Sequence, residues 1–236
     1  MASTTLLMLP GMDGDGRLFD RFRRVVAERS TLEVVVVSLN PAALASYDAV
    51  AAVVRSRCAA LGPVVLVGES YCGPVVARLC ADPPPNLQAG VMVASFPRSP
   101  VPGPPELLRP AARLALLHPP PALFVRLVLT GLDADAALVA AVQSAIASAP
   151  ADLLLARLDA IFEVDVRPRL AECQVPLLHI RATRDRLVSR RRAAEISTCC
   201  PTARVVALEG PHLLLQTRPR QVHQAIASFI EGLQHA

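Results

Sequence analysis

Apolar residues along this chain fall into short unbroken runs, separated by longer stretches where they recur at helical spacing. Thr5-Leu6-Leu7-Met8-Leu9 predicts a buried strand. Leu32 to Leu39, with four consecutive valines, predicts a second, Val64 to Val67 a third and Ala89 to Ala94 a fourth. Between them Arg17–Glu28, Tyr47–Leu61 and Pro74–Cys80 carry the three-and-four periodicity of helices with one apolar face. A strand buried on one face alternates apolar with polar, whereas a parallel sheet covered on both faces requires continuous runs like these. Strands separated by helices then build right-handed crossover units.

The alternation stops at Phe96. From there to about Pro168 no run predicts a strand. The segment opens with Pro97, Pro100, Pro102, Pro104 and Pro105 and continues with helical patterns near Glu106–Leu117, Asp135–Ser148 and Asp152–Phe162. Asp133 or Asp135, and Pro150-Ala151-Asp152, are helix-start signals. The alternation resumes with strand Pro176–Ala182, helix Arg190–Cys199, strand Ala203–Leu208 and a closing helix Pro219–Leu233. The predicted fold class is α/β: a mainly parallel six-stranded sheet flanked by helices, with residues 1–96 and 169–236 as the core. Residues 97–168 form a helical insertion after the fourth strand. That position lies over the crevice where open α/β sheets bind ligands, so the insertion reads as a lid on proline-rich hinges.

Composition narrows the function classes. The 236 residues suit one α/β domain with an insertion. All 24 basic residues are arginine, the net charge is +4, and acidic and basic residues are interspersed. Aromatics make up only 3% and tryptophan is absent, so the stacking surface of a nucleic-acid binder is not in view. Arg190-Arg191-Arg192 reads as a solvated helix start. No window is long and apolar enough to predict a membrane span. The N-terminus lacks the basic segment of a secretory signal. Six cysteines show neither C-x-x-C pairing nor metal-ligand spacing, and they read as reduced thiols in a cytoplasmic protein.

The chemistry is concentrated at Gly68-Glu69-Ser70-Tyr71-Cys72-Gly73. It nearly spells the serine nucleophile elbow G-x-S-x-G, but its second glycine stands one place late and Cys72 occupies the expected position. Ser70 follows a strand and precedes a helix, the context in which a strained turn lifts a hydroxyl above a sheet. A serine hydroxyl needs a base, a group to orient that base and donors for the oxyanion. Asp185, in the loop leaving the fifth strand, and His212, behind Gly210-Pro211 after the sixth, stand at the same sheet edge. Cys72 as nucleophile and Ser70 as a plain turn residue remain alternatives at this point.

With LPGMDG, GESYCG, RDRLV and GPH in this order from residue 9 to residue 212, the sequence resembles enzymes of the α/β-hydrolase fold, of serine esterase type, similar to carboxylesterases and pimeloyl-carrier-protein methyl ester esterases. The resemblance implies Ser70 as nucleophile, His212 as general base and Asp185 as its orienting acid. It implies backbone N–H groups of Tyr71 and Met12 as the oxyanion hole, with Pro10-Gly11 standing where many members have His-Gly. It implies no metal or organic cofactor. The expected function is a serine hydrolase acting on a small-molecule carboxylic ester or thioester with an apolar acyl group. A carrier-protein-linked acyl methyl ester esterase or an acyltransferase on the same triad, and a non-catalytic small-ligand receptor on the same scaffold, are the alternatives. The usual N-terminal antiparallel strands are not evident.

Other features read more plainly. Gly11, Gly14 and Gly16 have the spacing G-x-x-G-x-G, without the lysine and hydroxyl residue of a phosphate loop, and suit a turn shaping the oxyanion hole. Asp159, Glu163 and Asp165 are rival acids beside the insertion. His118, His179, His223 and His235 have no partner at useful spacing. Arg98, Arg109, Arg113 and Arg126 face Glu106 alone in the first half of the insertion, a pattern that either docks an acyl carrier protein or is scattered solvated charge.

Overall fold

The computed structural model describes residues 4–40 and 44–234; His235 lies outside them. Six parallel strands form one sheet in the order β2-β1-β3-β4-β5-β6. They are β1 (Thr5–Leu9), β2 (Glu33–Val36), β3 (Val64–Glu69), β4 (Leu87–Val93), β5 (Leu177–Ala182) and β6 (Arg204–Leu208). All five residues of β1 are buried, and their side chains divide by parity. Leu6 and Met8 face one layer, and Leu7 and Leu9 the other. Both faces need covering, which is why the sequence shows a run and not an alternation.

One layer consists of α1 (Asp20–Arg29), α10 (Leu214–Thr217) and α11 (Pro219–Gln234). The opposite layer is α2 (Tyr47–Ala59), α3 (Gly73–Ala81), α8 (Arg167–Ala171) and α9 (Arg190–Cys199). Between β4 and α8 lie α4 (Pro105–Leu116), α5 (Ala122–Phe124) with a π-helical continuation over Val125–Thr130, α6 (Ala136–Ser148) and α7 (Ala151–Glu163). The axes of α6 and α7 turn by 98° at their junction, and no single described helix is long and apolar enough to cross a membrane.

Three departures from the expected elements have local causes. The second strand is shorter than Leu32–Leu39, because past Val37, whose N–H still donates to Met8 O at 3.0 Å, the chain turns away and Leu39 donates its N–H to Gly14 O at 2.7 Å. The helical stretch 122–130 was not expected. Its bulky residues recur at Leu123, Phe124, Val125, Leu127, Val128 and Leu129 with no polar face to mark a helix. The short helices α8 and α10 span four or five residues, too few for periodicity to register.

The helices after β4 differ in how they are held. Val125, Leu138, Val139 and Val142 form a cluster with Leu213, and Leu213 N–H donates to Leu129 O at 2.9 Å. By contrast α4 has no buried residue and carries Pro110 in its interior. Its polar side meets α7: Arg109 pairs with Glu163 at 3.1 Å and lies 3.8 Å from Asp159, and Arg113 pairs with Asp159. Arg98 pairs with Glu195 at 2.8 Å, and Arg126 donates to the carbonyls of Leu132 and Ala134. All four arginines singled out in the sequence are therefore engaged within the chain.

Sheet and helix meet without slack where β4 passes α3. A Cβ on Gly90 would overlap Cys80 Sγ and lie 2.8 Å from Val76 Cγ1. Gly90→Ala is expected to lower unfolding stability by about 1–3 kcal/mol through overpacking, and Cys80→Ala in the same chain to recover part of that loss, as measured by urea denaturation.

Candidate active site

Three loops at the C-terminal edge of the sheet supply the chemistry. The first is the turn after β3. Ser70 adopts φ 48°, the left-handed region that side chains other than glycine avoid, and Ser70–Cys72 form one 3-10 turn before α3 begins at Gly73. The turn is tight because strand and helix all but touch. A Cβ on Gly68 would sit 2.6 Å from both Cys72 O and Val76 Cγ2. A Cβ on Gly73 would overlap Ser95, whose hydroxyl donates to Ser70 O at 2.6 Å. Ser95 follows Ala94, itself at φ 47°. The late glycine of GESYCG is thus required at 73 by Ser95. At 72 a Cβ is accommodated because it points into the core below the sheet edge.

Cys72 is fully buried and does not line the cavity over Ser70. Burial pushes its thiol well above the usual range. A small buried thiol stands there, outside the cavity.

The second and third loops carry Asp185 and His212. His212 is 2% exposed. Its Nδ1 lies 2.8 Å from Asp185 Oδ2 and its Nε2 lies 2.8 Å from Ser70 Oγ. With the Nδ1 proton donated to the carboxylate, Nε2 is left to accept from the serine hydroxyl. Asp185 is held from the other side by the N–H groups of Leu187 and Val188, which donate to Oδ1 at 2.8 and 2.9 Å. Arg184 lies nearest Glu209, at 3.9 Å, so the carboxylate is committed to the imidazole and not to its neighbouring arginines. The rival acids are engaged elsewhere: Asp159 and Glu163 with the arginines of α4, and Asp165 with Arg167.

Met12 and Tyr71 both border the cavity. Neither backbone N–H donates to another protein atom among the described residues. The loop bearing Met12 is a turn in which Gly14 N–H donates to Gly11 O at 3.2 Å, with Gly14 at φ 78°. The glycines here shape a turn, as expected. His118 is exposed, His179 is buried in β5 with its pKa lowered to about 4 by burial, and His223 lies beside Ser30; none reaches the site. Among the described residues no group of three or more His, Cys, Asp or Glu is placed to hold a metal ion.

The cavity above Ser70 has a volume of about 270 Å³. Its roof comes from the helices after β4, through Phe124, Leu129, Val142, Ile146, Leu154 and Leu158. Among the described residues its only acidic lining residues are Asp13 and Glu69, which sequence reasoning did not single out. Glu69 is 2% exposed and accepts from Gln216 Nε2 at 3.0 Å, while its Oε1 has no hydrogen-bond partner among the described residues. Burial raises its pKa to about 7 against the opposing effects of Gln216 and His212. Asp13 is raised to about 6, first by burial and then by the charge of Asp15. The one sequence signal for Glu69 was its place beside Ser70.

A model of the family described as "Alpha/beta hydrolase family" matches residues 6–225. No curated protein sequence matches the chain. Similar solved structures include an esterase from Exiguobacterium antarcticum (TM-score 0.86, 14% identity, 98% of this chain and 93% of that one). They also include a bromoperoxidase from Bacillus anthracis (TM-score 0.85, 17% identity, 98% and 92%). An enol-lactonase from Burkholderia xenovorans is a third (TM-score 0.78, 15% identity, 98% and 92%). At these identities the likeness concerns the fold.

The raised carboxyl of Glu69 gives a pH dependence with a definite sign. The folded chain keeps a proton that the unfolded chain releases between its ordinary value of 4.5 and about 7. Stability therefore falls as pH rises through that window and levels off above it. Glu69→Gln, neutral throughout, is expected to gain on the wild type by on the order of 2–3 kcal/mol between pH 4.5 and pH 8. Parallel pH-dependent urea curves for the two proteins would refute this assignment.

Proposed function

We infer that this chain, which belongs to the alpha/beta hydrolase family, is a serine hydrolase of carboxylic esters or thioesters with an apolar acyl group. The observation that carries the reading is the unbroken hydrogen-bond chain Ser70–His212–Asp185 at the floor of an apolar cavity. In the proposed reaction Ser70 Oγ attacks the carbonyl carbon while His212 Nε2 takes the hydroxyl proton. Asp185 holds the ring and stabilises the imidazolium. The N–H groups of Met12 and Tyr71 stabilise the oxyanion, a contribution worth about 3–4 kcal/mol per donor in comparable sites. On collapse His212 returns its proton to the leaving alcohol or thiol. Water, activated by the same imidazole, then attacks the acyl-enzyme and frees the acid.

The apolar roof supports an apolar acyl chain, because any polar group there would lose its hydration without replacement. Residues 97–168 then serve as a lid in which α4, held to α7 by partly exposed ion pairs, is the least anchored part. A carrier-protein-linked substrate gains no support from Arg98, Arg109, Arg113 and Arg126, which are engaged within the chain.

Turnover of p-nitrophenyl esters of increasing chain length tests the reading. Ser70→Ala is expected to lower kcat by at least about 10⁴-fold, Cys72→Ala to retain most of the activity, and the chain-length preference to peak where the acyl group fills the cavity. Full activity in Ser70→Ala would sink the assignment. Tight ligand binding by a wild type that turns nothing over would favour the receptor alternative.

A further inference from the structure

Arg157, on α7, is fully buried, and no carboxylate pairs with it among the described residues. Removing a guanidinium from water without a counter-ion is expensive, so its surroundings should explain its presence. They consist of backbone carbonyls and an aromatic face. Nη1 donates to Met12 O at 2.8 Å, Nη2 donates to Leu39 O, and the guanidinium lies over the Tyr71 ring at 5.6 Å from its centroid. Gly14 makes room for it, since a Cβ there would overlap Nη1. Tyr71 is itself fixed, stacked on Tyr47 at 4.7 Å and donating its hydroxyl to Ala45 O at 3.2 Å.

We propose that Arg157 is a positioning residue for the oxyanion-binding amides, clamping the Met12 loop and the Tyr71 side chain from the helix that roofs the cavity. This rests on the serine-hydrolase reading above. Two peptide groups flank the Met12 α-carbon. The Gly11–Met12 peptide is pinned through its oxygen, which accepts from Gly14 N–H. In a trans peptide the N–H points opposite the C=O, so the Met12 N–H is turned out of the loop. The Met12–Asp13 peptide is pinned through its own oxygen by Arg157. With both peptides held, the Met12 N–H has little freedom to rotate. The bond to Leu39 O ties this loop to the chain leaving β2, and Leu39 N–H returns to Gly14 O. Arg157 does not border the cavity, while Leu154, Leu158 and Ile161 of the same helix do. It therefore acts through Met12 and Tyr71 and touches no substrate.

The test compares Arg157→Met, Arg157→Lys and Arg157→Ala on one p-nitrophenyl ester, together with affinity for an alkylboronic acid, which forms a tetrahedral adduct with the serine. The expected result for Arg157→Met is a kcat lowered about ten- to a hundredfold with KM within about threefold. Boronate affinity should fall by the same factor as kcat. Arg157→Lys, able to serve one carbonyl at a time, is expected to fall between. Millimolar guanidinium, but not sodium chloride, should raise kcat of Arg157→Ala. A merely structural arginine would change thermal stability without this selective loss of tetrahedral-adduct affinity. Unchanged kcat and boronate affinity in folded Arg157→Met would overturn the proposal. If that variant does not fold, Arg157→Lys with wild-type kcat and boronate affinity overturns it equally. An active Ser70→Ala would instead overturn the underlying serine-hydrolase reading, so the two failures are distinct.

Discussion

The approach of α3 to the sheet sets the geometry on which the rest of the site depends. Helix and strand come together so closely that Gly68 and Gly73 can carry no side chain, and the chain between them has room for one tight turn. Ser70 sits at its apex in a conformation costing roughly 1–3 kcal/mol for a residue with a Cβ. Packing around the turn holds it there, with Ser95 donating to its carbonyl and Cys72 sunk into the core. His212 and Asp185 need only emerge from the next strands at the same edge to meet it, and the order β3-β4-β5-β6 brings them there.

Dryness is the second organising condition. Glu69, His212 and Arg157 are all within 2% of complete burial. Low local polarity strengthens every hydrogen bond in such a place and penalises each group left without one. The protein resolves this unevenly. Asp185 and His212 satisfy each other, Arg157 is satisfied mainly by backbone oxygens, and Glu69 finds a partner among the described residues on one oxygen only. The helices after β4 maintain these conditions, because they exclude solvent and one of them contributes the arginine.

How much was legible in the sequence follows from which forces act locally. The six strands and the longer helices that flank them were readable because burial on both sheet faces writes continuous runs, and one-sided helices write a three-and-four period. Ser70, Asp185 and His212 were readable because each lies just past a strand, so strand assignment alone places them at one edge. Arg157 was not. Its partners are backbone atoms 118 and 145 residues away, and no side-chain pattern records a backbone acceptor. The stretch 122–130 was missed for a related reason, since a segment apolar on nearly all sides lacks the contrast that periodicity measures. Glu69 was visible as a letter, but its isolation depends on the roof and on Gln216, both assembled from distant parts of the chain.

The contact between Gly73 and Ser95 also bears on how this sequence can diverge. The two positions share one small volume across 22 residues of chain. Were a descendant to place glycine at 95, a side chain at 73 would become tolerable, while the hydroxyl that braces the serine turn would be lost. The motif is thus a rule about shared space, and substitutions at 73 and 95 should covary. A pattern that asks only for glycine two places after the serine would pass over a lineage that has met the same steric condition one residue later.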